Sequence, residues 1–174
     1  MVEARQGPRS RAELLAVISS SWNACVALID SLTPEQWTSA TDDQGWTVKD
    51  HVAHVTAWEN VVTEVFRSGS PQYATLQMSE AEWADGGIDG ADVVIHARKA
   101  GQSLRRVQNN RDVTHARIVS ILTGLPEGEL ERPFSAFGAV DADRSVLEEM
   151  MDYLVRRYED LCASISAIVD AEGT

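Results

Sequence analysis

The fold is decided by the stretch Gly45-Trp46-Thr47-Val48-Lys49-Asp50-His51-Val52-Ala53-His54-Val55-Thr56-Ala57-Trp58-Glu59, which reads as a helix start followed by an apolar face that carries histidines. Thr47 is a good N-cap residue, and Asp50 three positions later completes a box-like pair with it. At about 100° of rotation per residue, one face of the predicted helix carries His51, His54, Val55, Trp58, Val61, Val62 and Val65. Two imidazoles therefore point to where a hydrophobic core is expected.

Three other segments combine an N-cap with a helical apolar pattern in the same way. The four long helices are predicted to run from Ser10 to about Leu32, from Thr47 to about Arg67, from Ser103 to about Thr123, and from Ser145 onward. No run alternates convincingly with period two, so no strand is predicted. The predicted fold class is therefore all-α, a four-helix bundle with short accessory helices, and the single domain spans residues 1–174.

Residues 71–102 are predicted to be an irregular insertion that covers one end of this domain. The runs Asp85-Gly86-Gly87 and Asp89-Gly90 read as breaks, which leaves one short helix through Trp83 and another from Ala91 to Ala100.

A short internal repetition also stands out. Thr33-Pro34-Glu35-Gln36 follows the first long helix and Leu125-Pro126-Glu127 follows the third, and each precedes a loop and another capped helix. This order would suit two helix pairs related by a pseudo-two-fold axis.

Composition restricts the partners. With 27 acidic and 15 basic residues, the chain has a formal net charge of -12. Such a chain is repelled by phosphate backbones and anionic membranes, so neither nucleic acid nor a membrane is a predicted partner. The N-terminus lacks the apolar region of a signal peptide and no later run is long enough to span a bilayer, which predicts a cytoplasmic protein. Cys25 and Cys162 are predicted to be buried free thiols.

The run from Leu32 to Trp37 and the stretch from Gly45 to Glu59 resemble the DinB-like superfamily, and His115 to Pro126 adds a second matching patch. The branch most resembled contains colibactin self-resistance proteins of the ClbS/DfsB type, and the chain is also similar to the N-terminal domain of mycothiol-dependent maleylpyruvate isomerases. The resemblance implies a four-helix bundle, often dimeric, with a central pocket. Many relatives bind a divalent metal there through three histidines, and some handle low-molecular-weight thiols or reactive small molecules.

Through this resemblance, His54 aligns with the first metal ligand of the family. The other two ligands are usually a histidine pair on the last helix, and this pair is missing here. Aligned on residues 145–147, the last helix puts Arg157 and Leu161 at the two positions. Aligned on residues 158–159, it puts Asp160 and Ser164 there. The first register is preferred, because Arg157 and Leu161 lie nearer the apolar stripe.

The two registers differ in their consequence for a metal. An arginine and a leucine cannot ligate, so the first register removes the site. The second leaves His54 and Asp160 as ligands and Ser164 as a poor third. No cofactor is therefore expected, although zinc or nickel held by His54 and Asp160 stays open.

Two kinds of function remain. In one, the chain is an enzyme that acts on a small electrophilic or thiol-linked molecule in a central pocket, with His54 as the base and Arg157 as an anion-binding group. The other proposed pocket residues are His51, Trp58, Arg111 and His115. In the alternative, the chain is a non-catalytic small-molecule binding or sequestering protein that has lost the family metal site. The missing histidine pair favours this alternative, whereas the retained His54 favours the enzyme.

Two further expectations concern burial and assembly. His54 is predicted to be buried in the middle of the bundle, as a neutral imidazole unless Asp160 or Glu59 reaches it. A homodimer is predicted from the resemblance and from apolar residues on short helices, including Trp37 and Trp83.

Overall fold

The computed structural model describes residues 7–172, and these form helices joined by loops and 3₁₀ turns, which confirms the predicted all-α class. The α-helices are α1 (Arg11–Asp30), α2 (Pro34–Thr38), α3 (Val48–Ser68), α4 (Gln72–Thr75), α5 (Glu80–Lys99), α6 (Leu104–Gly124), α7 (Val146–Met150) and α8 (Arg157–Glu172). A π-helical turn, Met151–Arg156, joins α7 to α8, so the last long helix is continuous across these elements.

The long helices begin where the sequence predicts, because N-caps are local. Ser10, Thr47, Ser103 and Ser145 each accept a hydrogen bond from a backbone N–H of the first turn of the helix that follows. At Thr47 the reciprocal bond from the side chain of Asp50 is also present, so the predicted capping box is complete.

The core is built around α3, which packs against α5, α6 and α8, while α1 packs against α6 and α8. Val52, Val61, Val62, Val65 and Trp58 of α3 are buried in it. Fully burying one valine contributes about 1.5–3 kcal/mol before the entropy cost, so this face supplies a large share of the driving force.

The prediction of an irregular insertion at residues 71–102 is wrong. Most of this region is α5, whose halves meet at a kink where Gly87 adopts φ 54° and ψ -143°. Of the glycines read as breaks, only Gly87 leaves the helical conformation. Trp83, Ala91 and Ile95 are buried, so packing on the bundle outweighs the poor helix propensity of glycine.

The predicted repetition of helix pairs has a structural counterpart. After α1 come the short helix α2 and a single β-bridge between Thr41 and Thr47, the N-cap of α3. After α6 come a 3₁₀ turn, Glu127–Glu129, and a single β-bridge between Pro133 and Ser145, the N-cap of α7. Each bridge fixes the approach of the chain to a capped helix.

Two expectations about apolar surface need correction. Trp37 and Trp83 are 2% and 6% exposed, so they bury into the monomer and give no support to a dimer. By length and composition, α1 is apolar enough to cross a membrane, with a mean hydropathy of 1.6, whereas no run was expected to be long enough to span a bilayer. The core helix of a protein without membrane spans passes the same test, and Leu14, Ile18 and Ile29 of α1 lie in the core.

Candidate functional site

A cavity of about 460 Å³ opens between the loop before α3, α3 itself, α5 and α8. It is lined by Asp42, Gln44, Trp46, His51, His54, Val55, Asp92, Arg157, Asp160, Leu161 and Ser164. The structure thus brings four of the predicted site residues, His51, His54, Arg157 and Asp160, to one cavity.

His54 forms a dyad with Asp92 of α5. The imidazole Nε2 lies 2.7 Å from Asp92 Oδ1, and Trp58 Nε1 donates to the same oxygen at 2.8 Å. Burial would raise the pKa of Asp92, but His54, Trp58 and Arg157 together lower it, so the group is a carboxylate at neutral pH. Trp58 Nε1 also lies 3.2 Å from His54 Nε2, but its shorter bond is the one to Asp92. Because a carboxylate only accepts hydrogen bonds, the uncharged imidazole of His54 is assigned its hydrogen on Nε2 and its lone pair on Nδ1.

The side chain of His54 is less buried than predicted. It is 14% exposed, because it forms part of the cavity wall rather than the centre of the core. Its partner also differs from the prediction, since Asp92 occupies the position expected for Asp160 or Glu59.

The loop before α3 is shaped by Asp42. One carboxylate oxygen accepts hydrogen bonds from the backbone N–H groups of Gln44 and Trp46, both at 2.9 Å, and Gly45 supplies the left-handed φ of 81°. The other oxygen lies 2.9 Å from His51 Nε2. Burial would raise the pKa of Asp42, but the bonds from Trp46, His51 and Gln44 lower it.

This loop places Trp46 over the histidines. Its ring stacks on His96 of α5, with centroids 4.2 Å apart and planes 6° apart, and it meets the ring of His54 edge-on at 5.4 Å. Burial lowers the pKa of His51 although Asp42 opposes the shift, so His51 is neutral at pH 7. The cavity wall is therefore aromatic on this side.

Arg157 supplies the cation of the cavity. Its guanidinium carbon lies 4.4 Å from the ring centroid of Trp58 and 5.9 Å from that of Tyr153. Burial lowers its pKa, against the opposing effect of Asp92 and other acidic groups, but a guanidinium stays charged at neutral pH. None of the described residues forms a hydrogen bond or ion pair with this guanidinium. Arg157 therefore stacks on aromatic rings inside the cavity.

The last helix presents both of the alternative pairs to the cavity, since Arg157, Asp160, Leu161 and Ser164 all line it. The resemblance implies a divalent metal here, but the donor set does not fit one. Within residues 7–172 no group of three or more histidine, cysteine, aspartate or glutamate side chains is placed to hold a metal ion. His54 Nε2 is engaged with Asp92, and the unpaired cation of Arg157 faces the same space.

Arg111 and His115, predicted for the same pocket, line neither this cavity nor its rim. His115 lies on the other side of α3, where its Nδ1 is 3.1 Å from Glu59 Oε1 and its ring stacks on Trp22 at 3.8 Å. Arg111 bonds Asp30 at 3.0 Å and the adjacent Asp112 at 2.8 Å. Arg111 and His115 share a face of α6, and this face turns toward α1.

Glu59 is the buried centre of this second group of polar residues. Its side chain is fully buried, and Oε1 accepts a hydrogen bond from Tyr158 Oη at 2.5 Å as well as the contact from His115. The other oxygen, Oε2, is buried without a hydrogen-bond partner among the described residues. Burial raises the pKa of Glu59, with His115 and Tyr158 opposing.

The main residue that sequence reasoning missed is Asp92. It was hidden because Gly86, Gly87 and Gly90 suggested a broken segment. The four-residue spacing of Ala91 and Ile95, both buried, was the available sign that the second half of α5 packs on the bundle.

Comparison with known proteins agrees with this fold. The family model described as the DinB superfamily matches residues 17–151. No curated protein matches the chain.

Three crystal structures share the fold at low identity. A Streptococcus pneumoniae protein is 15% identical, with a TM-score of 0.73 over 93% of this chain and 91% of that one. An uncharacterised protein from Clostridium difficile 630 is 14% identical, with a TM-score of 0.73 over 93% and 96%. An uncharacterised Escherichia coli UTI89 protein is 13% identical, with a TM-score of 0.72 over 96% of each chain. At such identities the likeness concerns the fold alone, and the ClbS/DfsB and maleylpyruvate isomerase resemblances stay predictions.

Proposed function

Because the chain belongs to the DinB superfamily and has a cavity beside His54, we propose that this cavity binds a small electrophilic molecule carrying an anionic group. In this proposal His54 is the general base. The observation that carries the proposal is the His54–Asp92 dyad at 2.7 Å. A carboxylate that accepts from one imidazole nitrogen leaves the other as the base, which is the arrangement used in histidine-assisted acyl transfer.

The proposed chemistry is proton abstraction from a nucleophile that comes with the substrate. His54 Nδ1 takes a proton from water or from the thiol of a co-substrate as the oxygen or sulfur attacks the electrophilic carbon. The proton then passes to the leaving group, so His54 returns to its neutral form. Asp92 is a positioning residue, because it holds the tautomer and stabilises the imidazolium that forms.

Arg157 is the proposed anion-binding residue. Its guanidinium lies on Trp58 and lacks a carboxylate partner among the described residues. An unpaired cation in a partly buried site gains more from an anionic ligand than a solvated one does. The anionic end of the substrate therefore lies toward α8, and its reacting centre lies toward α3.

A non-catalytic binding protein is the second candidate. It is favoured by the donor set, which does not fit the metal that the resemblance implies. In this case the same cavity binds the anionic molecule and His54 only donates or accepts a hydrogen bond.

The test uses two esters with the same leaving group, para-nitrophenyl acetate and para-nitrophenyl hemisuccinate, of which only the second has an acyl group that carries a carboxylate. The enzyme proposal expects turnover of both, with kcat reduced about 100-fold in His54→Gln. Asp92→Asn should lower kcat more than it changes KM, since it acts through His54. Arg157→Gln should raise KM for the hemisuccinate and leave KM for the acetate unchanged.

The matched control is Arg156→Gln, which removes the neighbouring, exposed arginine that pairs with Asp152. It should change neither constant. Saturable binding of the hemisuccinate without turnover would favour the binding protein. Turnover that survives His54→Gln would eliminate His54 as the base.

A further inference from the structure

A second cavity, of about 300 Å³, lies on a different face of α3, between α3, the end of α4, α5 and α6. It shares no lining residue with the cavity beside His54. From α3 it receives Ala53, Thr56, Ala57 and Asn60, so one helix forms a wall of both cavities.

The second cavity is lined by basic residues, although the chain as a whole is acidic. Arg98, Lys99 and Arg117 line it, and none of its described lining residues carries a carboxylate. The chain as a whole has 27 acidic and 15 basic residues. Three cations at one cavity therefore create a local positive potential in a protein whose net charge is negative.

Several of these groups are free to bind a ligand. Arg98 is held at the end of α4, where it donates to the carbonyl oxygens of Leu76 and Gln77. Within residues 7–172, the side chains of Lys99 and Arg117 form no hydrogen bond or ion pair, and the side-chain amides of Asn60 and Asn110 form no hydrogen bond. Cationic and amide N–H donors thus face the same space without protein acceptors.

We infer that this second cavity binds a small oxyanion with two or more negative charges, of the phosphate or polycarboxylate kind. Guanidinium and ammonium groups form their strongest hydrogen bonds with such oxygens, and the amides add neutral donors. The volume corresponds to roughly ten water molecules at about 30 Å³ each, which suits a small metabolite. The site is separate from the one proposed around His54.

Isothermal titration calorimetry with sodium pyrophosphate and with sodium citrate tests the inference on the full chain. The expected result is saturable binding of at least one of them at a single site. Arg117→Gln should weaken this binding about tenfold, the effect of losing one charge-assisted hydrogen bond. Binding of pyrophosphate alone indicates a phosphate ligand, and binding of citrate alone indicates a carboxylate ligand.

Two control variants make the result specific. Arg105→Gln removes an exposed arginine of the same helix that does not line the cavity. It should leave the affinity unchanged. Arg157→Gln should also leave it unchanged, which separates this site from the His54 cavity. The inference is overturned if neither anion binds at millimolar concentration, if Arg105→Gln weakens binding as much as Arg117→Gln, or if the binding disappears in Arg157→Gln.

Discussion

Because the carboxyl of Glu59 is buried, we predict that the free energy of unfolding decreases as the pH rises. Glu59 is fully buried, and its Oε2 has no partner among the described residues. Burial raises its pKa above the ordinary value of 4.5, so the folded protein holds the proton more tightly than the unfolded chain does. The stabilising effect of this proton is complete below pH 4.5 and is lost as the pH rises through the folded pKa.

Glu59→Gln removes this titration and keeps the shape of the side chain. At or below about pH 4.5 both side chains are neutral, and the free energies of unfolding should agree within about 1 kcal/mol. Above that pH, wild type should lose stability relative to the variant by about 1.4 kcal/mol per pH unit, until the pH passes the folded pKa. His115, Tyr158, Cys25 and Asp112 also act on this carboxyl, and all are unchanged in the variant.

Urea unfolding of both proteins from about pH 4 to about pH 8 measures the difference. Glu64→Gln is the matched control, because Glu64 lies on the same helix, is 26% exposed and pairs with Arg67. Its effect should stay below about 0.5 kcal/mol at each pH. A difference between wild type and Glu59→Gln that does not change over this range would refute the reasoning from burial.

Four further predictions are open to direct measurement. Arg157→Met should raise the free energy of unfolding by about 1 kcal/mol in urea, because it removes a desolvated cation without a carboxylate partner; a decrease would contradict this. His54→Ala should lower the free energy of unfolding by about 1–3 kcal/mol. Elemental analysis of protein purified without added metal should find less than one zinc or nickel ion per chain, and the same content in wild type and in His54→Ala. Gly138→Ala should lower the free energy of unfolding by about 1–3 kcal/mol, because Gly138 has φ 106° and an added Cβ would overlap the carbonyl of Gly69. The control is Gly128→Ala, whose added Cβ meets no atom within 4 Å and should change the free energy of unfolding little. Sedimentation equilibrium should show the homodimer that the family resemblance implies, and a monomer at every concentration would eliminate it.

The parts of the fold that could be predicted from sequence are those set by local chemistry. Thr47 and Asp50 lie three residues apart and satisfy each other's backbone N–H groups, so the start of α3 needs no information from elsewhere in the chain. The apolar stripe of α3 is equally local. Both features place His54 on the inward side of α3, and the structure has it in the wall of a cavity there.

The partner of His54 could not be predicted in the same way. The Asp92 carboxylate reaches His54 from 38 positions along the chain. That approach depends on α5 continuing through Gly87, which only packing on the bundle enforces. A glycine pair that is a break in most contexts is here a kink, and the periodic pattern on either side is too short to reveal it.

The disagreement between the two registers of the last helix also comes from a feature that the sequence pattern does not show. Alignment on its start and alignment on its middle disagree, and the π-helical turn Met151–Arg156 lies between the two anchors. Such a turn changes the rotation of every residue that follows it, which period-3.6 counting does not anticipate. Both Arg157 and Asp160 consequently line the cavity, and neither register taken alone predicts this.

The position of Trp46 makes the cavity visible to spectroscopy. This indole is half-buried, lines the cavity, and lies between the rings of His96 and His54. A molecule that enters the cavity changes the polarity around the indole, so intrinsic fluorescence reports occupancy without a label. Trp46→Phe identifies the part of the signal that comes from this residue. Compound libraries can therefore be screened on the unmodified protein before any substrate is known.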